Sequence, residues 1–276
     1  MSSVGLLVER GRGFGGVGPM WLLPVLLAPF MGSFLGVLIA RLPGGEGIAL
    51  SGTSAARSQC ASCRRVLSPL DLVPVVSFLV LRGRCRTCGA PIGWFHLVIE
   101  LAVMGVSVWV LAVETEPERI WLDCGLGWVL LTLAWIDWRH FILPDVLTLP
   151  LVLAGLVANS WLDGEWPIDG AIGAVLGYAG FRGIELGYRA LRGRDGLGQG
   201  DAKLMAAAGA WVGWVNLPFV MVGAAVVGIA LAVVRGEGLS GKVVIPFGPC
   251  IALAVWVVWL YPMAVVELSQ AWLAWG

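Results

Sequence analysis

Long apolar stretches, separated by short polar segments, occupy most of the chain from about residue 20 onward. A helix needs roughly 20 apolar residues to cross the hydrocarbon core of a bilayer, and eight stretches approach this length. They cover residues 20–41, 96–113, 120–137, 144–162, 170–190, 202–216, 218–235 and 244–262. A ninth, 263–276, is too short to cross. The pattern therefore predicts an all-α integral membrane protein with about eight transmembrane helices.

One boundary in this pattern depends on a proline. Residues 202–235 form a nearly continuous apolar run that could be a single long helix, but Asn216-Leu217-Pro218 interrupts it. The residue before a proline disfavours the helical conformation. We therefore expect a turn at this tripeptide, with a separate helix on each side.

The composition agrees with a membrane protein. Hydrophobic residues make up 58% of the chain and charged residues only 13%, with a mean hydropathy of +0.87, whereas charged residues are about a quarter of a typical soluble domain. The net charge is zero, and we expect no nucleic-acid partner. We also expect no cleavable signal peptide, because residues 1–18 form a glycine-rich tail with three charged side chains.

The distribution of charge predicts the orientation in the membrane. Short loops that face the cytoplasm are enriched in Lys and Arg. The segment after the first predicted helix is basic, whereas the loops near 114–123 and 163–169 are acidic. The alternation places the basic segment in the cytoplasm and both termini on the opposite side, although Arg10 and Arg12 favour the reverse. The basic residues are Arg41, Arg57, Arg64, Arg65, Arg82, Arg84 and Arg86.

The basic segment, residues 43–94, also contains two Cys-x-x-Cys pairs, and we call it the four-cysteine domain. The pairs are Cys60 with Cys63 and Cys85 with Cys88. Four thiolates in this arrangement suit a tetrahedral structural zinc, and a domain this small needs such a cross-link to be stable. Disulfides are disfavoured in the cytoplasm. The alternatives are reduced cysteines without metal or a redox pair.

Two aspartates occupy the predicted inner ends of helices and are candidates for acid-base chemistry. Asp137 ends the helix at 120–137, and Asp201 precedes the helix at 202–216. A carboxylate at the edge of an apolar run is costly to bury and indicates function. If the two converge, one can hold a proton while the other activates water, as in aspartic proteases. Their spacing alone does not show that they meet.

Each aspartate also has a structural interpretation. Asp201 could cap its helix, and Asp137 could extend into water beside Arg139 and His140. We expect Gly198 and Gly200 to allow a positive φ and a close approach of substrate backbone.

Several further polar residues have weaker signals. Asp145, after Pro144, suits the first turn of a helix. Glu100 has no basic neighbour in its own helix, so it either binds a ligand or pairs across helices. We expect an ion pair between Arg182 and Glu185. Cys124 and Cys250 are expected to be small core residues, and neither His96 nor His140 supports a nucleophilic site.

Five ordered motifs together resemble the type IV prepilin peptidases, a bacterial family of Gly-x-Gly-Asp aspartic proteases and N-methyltransferases. The resemblance begins near residue 28 and covers nearly all of the remaining chain. The motifs are Gly32-Ser33-Phe34-Leu35 with Arg41-Leu42-Pro43, the two cysteine pairs around residues 81–86, Ile136-Asp137 with residues 143–148, residues 198–204, and Ile245-Pro246-Phe247-Gly248-Pro249.

The resemblance implies an inner-membrane endopeptidase that cleaves prepilins or pseudopilins after a glycine at the cytoplasmic face. It implies Asp137 and Asp201 as the catalytic pair, with Gly198, Gly200, Lys203, Pro144 and Asp145 in support. It also implies methylation of the new N-terminus from S-adenosylmethionine, and Glu100, Gly36 and Asp71 are weaker candidates for that reaction.

The chain departs from the family pattern in the regions associated with methylation. Gly36 stands where the family usually has Asn, and Asp71-Leu72-Val73-Pro74 replaces an Asp-Asn-Ile-Pro run. Trp94-Phe95-His96 replaces Arg-Tyr-Pro. No glycine-rich nucleotide-binding motif supports the methyl donor independently. Peptidase activity is therefore the firmer expectation.

We expect four regions: a tail (1–18), a first transmembrane helix (19–42), the cytoplasmic four-cysteine domain (43–94) and a transmembrane peptidase core (95–276). Two other classes of protein remain as alternatives. A proton-coupled transporter would use the buried acids as a proton relay, and a zinc-bearing scaffold of a pilus or secretion assembly would need only the cysteines.

Overall fold

The computed structural model describes residues 22–44, 58–193, 198–235, 245–262 and 267. Within these residues the regular structure is helical, apart from two isolated β-bridges. The helices are α1 (Leu23–Arg41), α2 (Val76–Val80), α3 (Phe95–Val113), α4 (Pro117–His140), α5 (Asp145–Asp163), α6 (Ile168–Arg192), α7 (Gln199–Val234) and α8 (Gly248–Leu260). The predicted tail lies outside the described residues, as does the stretch 263–276 except for residue 267.

Five of these helices, α1, α3, α4, α5 and α7, are long and apolar enough to cross a membrane. The helix α6 has 25 residues but carries charged side chains in its C-terminal half, and α8 has 13 residues. The longest, α7, has 36 residues and contains a break, so it supplies two helical segments. The predicted all-α membrane fold, with the cysteine pairs between the first two long helices, is confirmed.

The break in α7 lies at Gly213 and not at the predicted Asn216-Leu217-Pro218 turn. Gly213 has φ 76° and ψ 167°, a conformation that a side chain disfavours, and Pro218 lies inside the helical segment that follows. Pro218 is the fifth residue after Gly213 and therefore lies near the start of the second helical segment. The prediction was wrong by a few residues because glycine, and not proline, determines where the chain turns.

The carbonyl groups exposed by this break are satisfied by two asparagines. Asn159 of α5 donates to the carbonyls of Ala210 and Trp211 at 2.8 and 3.0 Å. Asn216 donates to the carbonyl of Val212 at 2.9 Å. Unsatisfied backbone groups inside a membrane are strongly unfavourable, so these side chains stabilise the break.

The break reverses the direction of the chain, and the two halves of α7 form a helical hairpin. Asp201, at the start of α7, lines the same cavity as Asp137, whose carboxylate accepts a hydrogen bond from Gly248. Gly228, near the end of α7, packs against Phe247 and Cys250 at the start of α8. Both ends of α7 therefore lie at the same end of the bundle.

Small residues bring α6 and the first half of α7 into close contact. Gly173 and Gly177, four residues apart on α6, face the backbone of Gly209 and Met205. A Cβ atom at Gly173 would lie 2.4 Å from the carbonyl oxygen of Gly209. Membrane helices use such residues because backbone packing, and not hydrophobic burial, holds them together.

Substitution of Gly173 by alanine should therefore destabilise the protein. The new methyl group would force α6 and α7 apart, at a cost of about 1–3 kcal/mol. Thermal unfolding in detergent should show a lower Tm for Gly173→Ala. Gly180→Ala, on the same helix with no neighbouring atom within 4 Å of the new Cβ, is the matched control, and its Tm should not fall. Equal Tm values for the two variants would contradict this packing.

Candidate functional site

Asp137 lies in the last turn of α4 and is buried, with 6% of its surface exposed. Its Oδ2 atom accepts a hydrogen bond from the backbone N–H of Gly248 at 2.9 Å. The side chain is therefore held inside the bundle and does not extend into solvent beside Arg139 and His140, which are exposed.

Gly248 is a site residue to which the sequence assigned no role. A Cβ atom here would lie 2.7 Å from Oδ2 of Asp137, so any other residue would displace the carboxylate. The sequence signal for this residue is the motif Pro246-Phe247-Gly248-Pro249, which is part of the family resemblance. Gly248 is the first residue of α8 and Pro249 the second, so the Gly248 N–H has no intrahelical acceptor.

Asp201 is also buried, at 9% exposure, and is the third residue of α7. Its Oδ2 atom accepts a hydrogen bond from the N–H of Gly198 at 3.2 Å. Gly198 is the N-cap, so Asp201 caps the helix from inside its first turn. The structural and functional interpretations of this residue are therefore compatible.

The expected positive φ at Gly198 and Gly200 is not found. Gly198 has φ −78°, and neither glycine is among the positive-φ residues. Gly200 instead allows close packing, since a Cβ atom there would lie 2.9 Å from Cβ of Leu143. The glycine lets the start of α7 approach the loop between α4 and α5.

The structure brings the two aspartates together. Both line one open cavity of about 240 Å³ at one end of the bundle. Other residues of the lining are Phe141, Ile142, Leu143, Gly198, Gln199, Gly200 and Lys203. Two buried carboxylates beside a small cavity can hold a proton and a water molecule between them.

Lys203 and Asp145 form a salt bridge at the mouth of this cavity. The bridge connects the first turns of α7 and α5, and the Asp145 side chain is 55% exposed. Pro144 is the N-cap of α5 and accepts helix-starting hydrogen bonds through its carbonyl. These residues support the site from its rim.

The four cysteines of the four-cysteine domain meet at one point. Their sulfur atoms lie within 4.8 Å of one another, and those of Cys60 and Cys88 are 3.8 Å apart. Zinc–sulfur bonds of about 2.3 Å require tetrahedral sulfur separations of about 3.8 Å. Each pair lies in a tight turn closed by an antiparallel bridge. These residues fit a structural zinc ion.

The turns also favour the thiolate form of two cysteines. Backbone N–H groups of Cys63 and Ser62 lower the pKa of Cys60. Those of Cys88 and Thr87 lower the pKa of Cys85 to about 6. Zinc binds the thiolate and not the thiol, so the backbone prepares these sulfurs for a metal.

Asp71 joins the two halves of the four-cysteine domain. It forms salt bridges with Arg65 and Arg86 at 3.1 and 3.0 Å, close to the first and second cysteine pairs. Hydrogen bonds from the side chain and backbone of Ser68, followed by the charges of the two arginines, lower the pKa of Asp71.

A second and larger cavity lies between the four-cysteine domain, α1 and α3. Its volume is about 700 Å³, and Asp71, His96 and Glu100 line it. Gly36 lies beside it against His96, where a Cβ atom would be 2.8 Å from Nδ1. A side chain at position 36 would therefore require His96 to move. The weaker candidates Glu100, Gly36 and Asp71 therefore cluster around one cavity, apart from the two aspartates.

Two further predictions, on the Arg182–Glu185 ion pair and on Cys124 and Cys250, are confirmed. Arg182 pairs with Glu185, and Arg189 also binds this carboxylate at 3.3 Å. Cys124 and Cys250 are fully buried among apolar residues.

Comparisons with known proteins agree with the motifs. Residues 124–233 match the type IV leader peptidase family, and residues 26–114 match the bacterial N-terminal domain of the same peptidase family. None of the solved structures matches the chain.

Several curated proteins named "Prepilin leader peptidase/N-methyltransferase" are similar over most of their length. The protein from Aeromonas hydrophila is 36% identical, covering 93% of this chain and 95% of the relative. The Burkholderia pseudomallei protein is 38% identical, covering 83% of this chain and 81% of the relative. The Pseudomonas aeruginosa protein is 34% identical, covering 86% of this chain and 89% of the relative.

The cysteine geometry predicts about one zinc ion per purified chain. Cys60→Ser and Cys85→Ser should each release it, because a serine hydroxyl is a much weaker zinc ligand than a thiolate. Metal analysis by mass spectrometry measures the stoichiometry. Cys124→Ser, in the helical core, is the control and should retain zinc. Active wild-type protein free of zinc would contradict the assignment.

Proposed function

Because the chain belongs to the type IV leader peptidase family, we propose that it removes the leader of type IV prepilins or pseudopilins by hydrolysis at Asp137 and Asp201. The observation that carries this proposal is the convergence of two buried carboxylates on one cavity. The family resemblance points to these two residues, and the cavity that both line supports the proposal that they act on the same water.

The chemistry follows from sharing one proton between two carboxylates. The unprotonated aspartate takes a proton from water, whose oxygen attacks the carbonyl carbon of the scissile bond, while the protonated aspartate donates to the carbonyl oxygen. The C–N bond then breaks, the leaving amine takes the proton that the first aspartate removed from water, and a hydroxyl of the tetrahedral intermediate returns a proton to the second aspartate. The hydrogen bonds from Gly248 and Gly198 fix both side chains in position for this reaction.

The position of the pair suits a substrate with a basic leader and an apolar helix. We propose that the four-cysteine domain and both aspartates lie at the cytoplasmic face of the bacterial inner membrane, with both termini on the periplasmic side. A positive leader would then stay in the cytoplasm while the following apolar segment lies in the bilayer. This arrangement brings the scissile bond to the depth of the aspartates.

The family's second activity is methylation of the new N-terminus, with S-adenosylmethionine as the methyl donor. We propose that it takes place in the cavity of about 700 Å³ beside the four-cysteine domain, a volume within the range of small-molecule sites. Zinc would hold the walls of this cavity in place without taking part in either reaction. The four regions 1–18, 19–42, 43–94 and 95–276 would then comprise a tail, an anchor, the four-cysteine domain and the peptidase core.

The transporter and scaffold alternatives are not favoured. Membership of a peptidase family and the paired carboxylates account for the buried acids without a proton relay. The same membership explains the cysteines as part of the family's N-terminal domain.

Replacing either catalytic aspartate with asparagine should abolish cleavage. Loss of one carboxylate removes either the base or the acid, and general acid-base catalysis contributes about 100- to 10,000-fold. Purified Asp137→Asn and Asp201→Asn, incubated with a prepilin in detergent, should yield no cleaved product by mass spectrometry. Asp163→Asn, at the far end of α5, should cleave as wild type. Normal cleavage by both site variants would end the proposal.

The salt bridge between Lys203 and Asp145 should affect the rate much less. An exposed pair contributes about 0.2–1 kcal/mol, so Lys203→Met or Asp145→Asn should slow cleavage by less than about tenfold. The double variant should resemble either single variant, because each removes the same contact. Initial cleavage rates of the four proteins give this comparison. A decrease in the cleavage rate as large as that of Asp201→Asn would instead indicate that Lys203 takes part in catalysis.

A further inference from the structure

We propose that the carboxylate of Glu100 binds the newly freed N-terminal amine of the cleaved substrate and holds it for methyl transfer. This inference rests on the proposed function and deepens it, because it names the residue that recognises the acceptor. It separates the two reactions in space, with cleavage at Asp137 and Asp201 and methylation in the larger cavity.

Among the residues that the structure describes, no cationic side chain pairs with the buried acid Glu100. It lies on α3 with 6% exposure, and it lines the cavity of about 700 Å³. No Lys or Arg of the described residues forms a salt bridge with it. Glu185, the comparably buried glutamate on α6, instead binds two arginines. The structure therefore neutralises one buried glutamate internally and leaves the other facing a cavity.

The surroundings of Glu100 hold its carboxylate in a defined position. The backbone N–H of Val75 donates to Oε2 at 2.8 Å. Val75 has φ 60° and ψ −53°, which is strained for a β-branched residue. Such strain persists only where the surrounding structure imposes it, and it clusters at functional sites.

The packing of α1 brings these groups together. A Cβ atom at Gly32 would lie 2.6 Å from Cα of Glu100, so the two helices are in contact at this point. Ser33, the next residue, lines the same cavity. Contacts from α1, α3 and the four-cysteine domain therefore converge on a single carboxylate.

A cation is the ligand that this carboxylate suits. Burying an ionised group without a partner is unfavourable, and a positive ligand would offset the loss of hydration. A free N-terminal amine has a pKa of about 8 and is mostly protonated at neutral pH. Peptide hydrolysis at the aspartate pair produces this group on the mature substrate.

The cavity is open to both reactants. On the α1 side it is lined by Phe30 and Phe34, which are more than half exposed on the apolar surface of the helix. An apolar substrate helix in the bilayer can approach from this side. On the opposite side the lining consists of residues of the four-cysteine domain, through which a polar methyl donor can enter from water.

The transfer balances without any further reactant. The ammonium first loses one proton to water, while the Glu100 carboxylate accepts a hydrogen bond from a remaining N–H. The nitrogen lone pair then forms a bond to the methyl carbon of the sulfonium donor. The carbon–sulfur bond breaks, its electron pair stays on sulfur, and the products are a methylated ammonium and a neutral thioether.

Glu100→Gln tests this assignment in the full-length protein. The amide can still accept the Val75 hydrogen bond but carries no charge. Purified protein is incubated with a prepilin and S-adenosylmethionine, and the mass of the product N-terminus reports cleavage and methylation separately. We expect cleavage within about twofold of wild type and a methylated fraction at least about tenfold lower. The control Glu116→Gln, at the far end of the bundle, should change neither.

A binding measurement distinguishes the amine from the other cation in the reaction, the sulfonium of the donor. Equilibrium dialysis with labelled S-adenosylmethionine should give the same Kd for Glu100→Gln and wild type within about twofold. A Kd at least about tenfold weaker would overturn the proposal, because Glu100 would then recognise the donor.

The remaining outcomes are also decisive. Normal methylation by Glu100→Gln would overturn the assignment while leaving the peptidase proposal intact. If both activities are lost, Glu100→Asp, which keeps the charge, is assayed. Cleavage restored by Glu100→Asp, with methylation at least partly recovered, would support the proposal. Continued loss of both would overturn it, because Glu100 would then be needed for cleavage or for the fold. Failure of the wild-type protein to cleave would instead refute the proposed function.

Discussion

The hydrogen bond from the Gly248 N–H to Asp137 is the contact on which the geometry of the aspartate pair depends. It joins α4 to the start of α8 and holds a carboxylate where an ionised group is otherwise unfavourable. Charge-assisted hydrogen bonds of this kind are stronger than those between neutral groups. Gly248 must be glycine for the approach, because a Cβ atom would occupy the position of the carboxylate. A backbone amide thus orients one member of the pair, and a second amide, that of Gly198, orients the other.

Glycines with ordinary φ angles perform much of the remaining positioning through close packing. Because Gly200 has no side chain, the loop at Leu143 can pack closely against it. Gly173 allows the same close approach of the α7 backbone, and Gly32 allows α1 to contact Glu100. In a bilayer, moving apolar surface from lipid into a helix interface releases little free energy. Helix association therefore depends on such close contacts. The same mechanism therefore builds both cavities, although one is lined by the aspartate pair and the other by Glu100.

The sequence was sufficient for features that depend on composition and local pattern. Apolar runs predicted the membrane helices, the spacing of Cys60, Cys63, Cys85 and Cys88 predicted a four-sulfur cluster, and the helix ends placed Asp137 and Asp201 at one depth. It was insufficient where distant segments meet. The break at Gly213 depends on Asn159, which lies 51 residues before the first carbonyl it caps, and no local rule favours it over Pro218. The contact between Val75 and Glu100 crosses from the four-cysteine domain to α3, so the sequence could show only that Glu100 lacked a partner in its own helix.

The central claim is that Asp137 and Asp201 act on the same water molecule. The most direct measurement is an experimental structure of the protein bound to a prepilin peptide whose scissile bond is replaced by a hydroxyethylene group. The hydroxyl of this group mimics the attacking water. The account predicts that it lies within hydrogen-bond distance of both carboxylates. A hydroxyl bound to only one of them, or a peptide seated away from the pair, would contradict it.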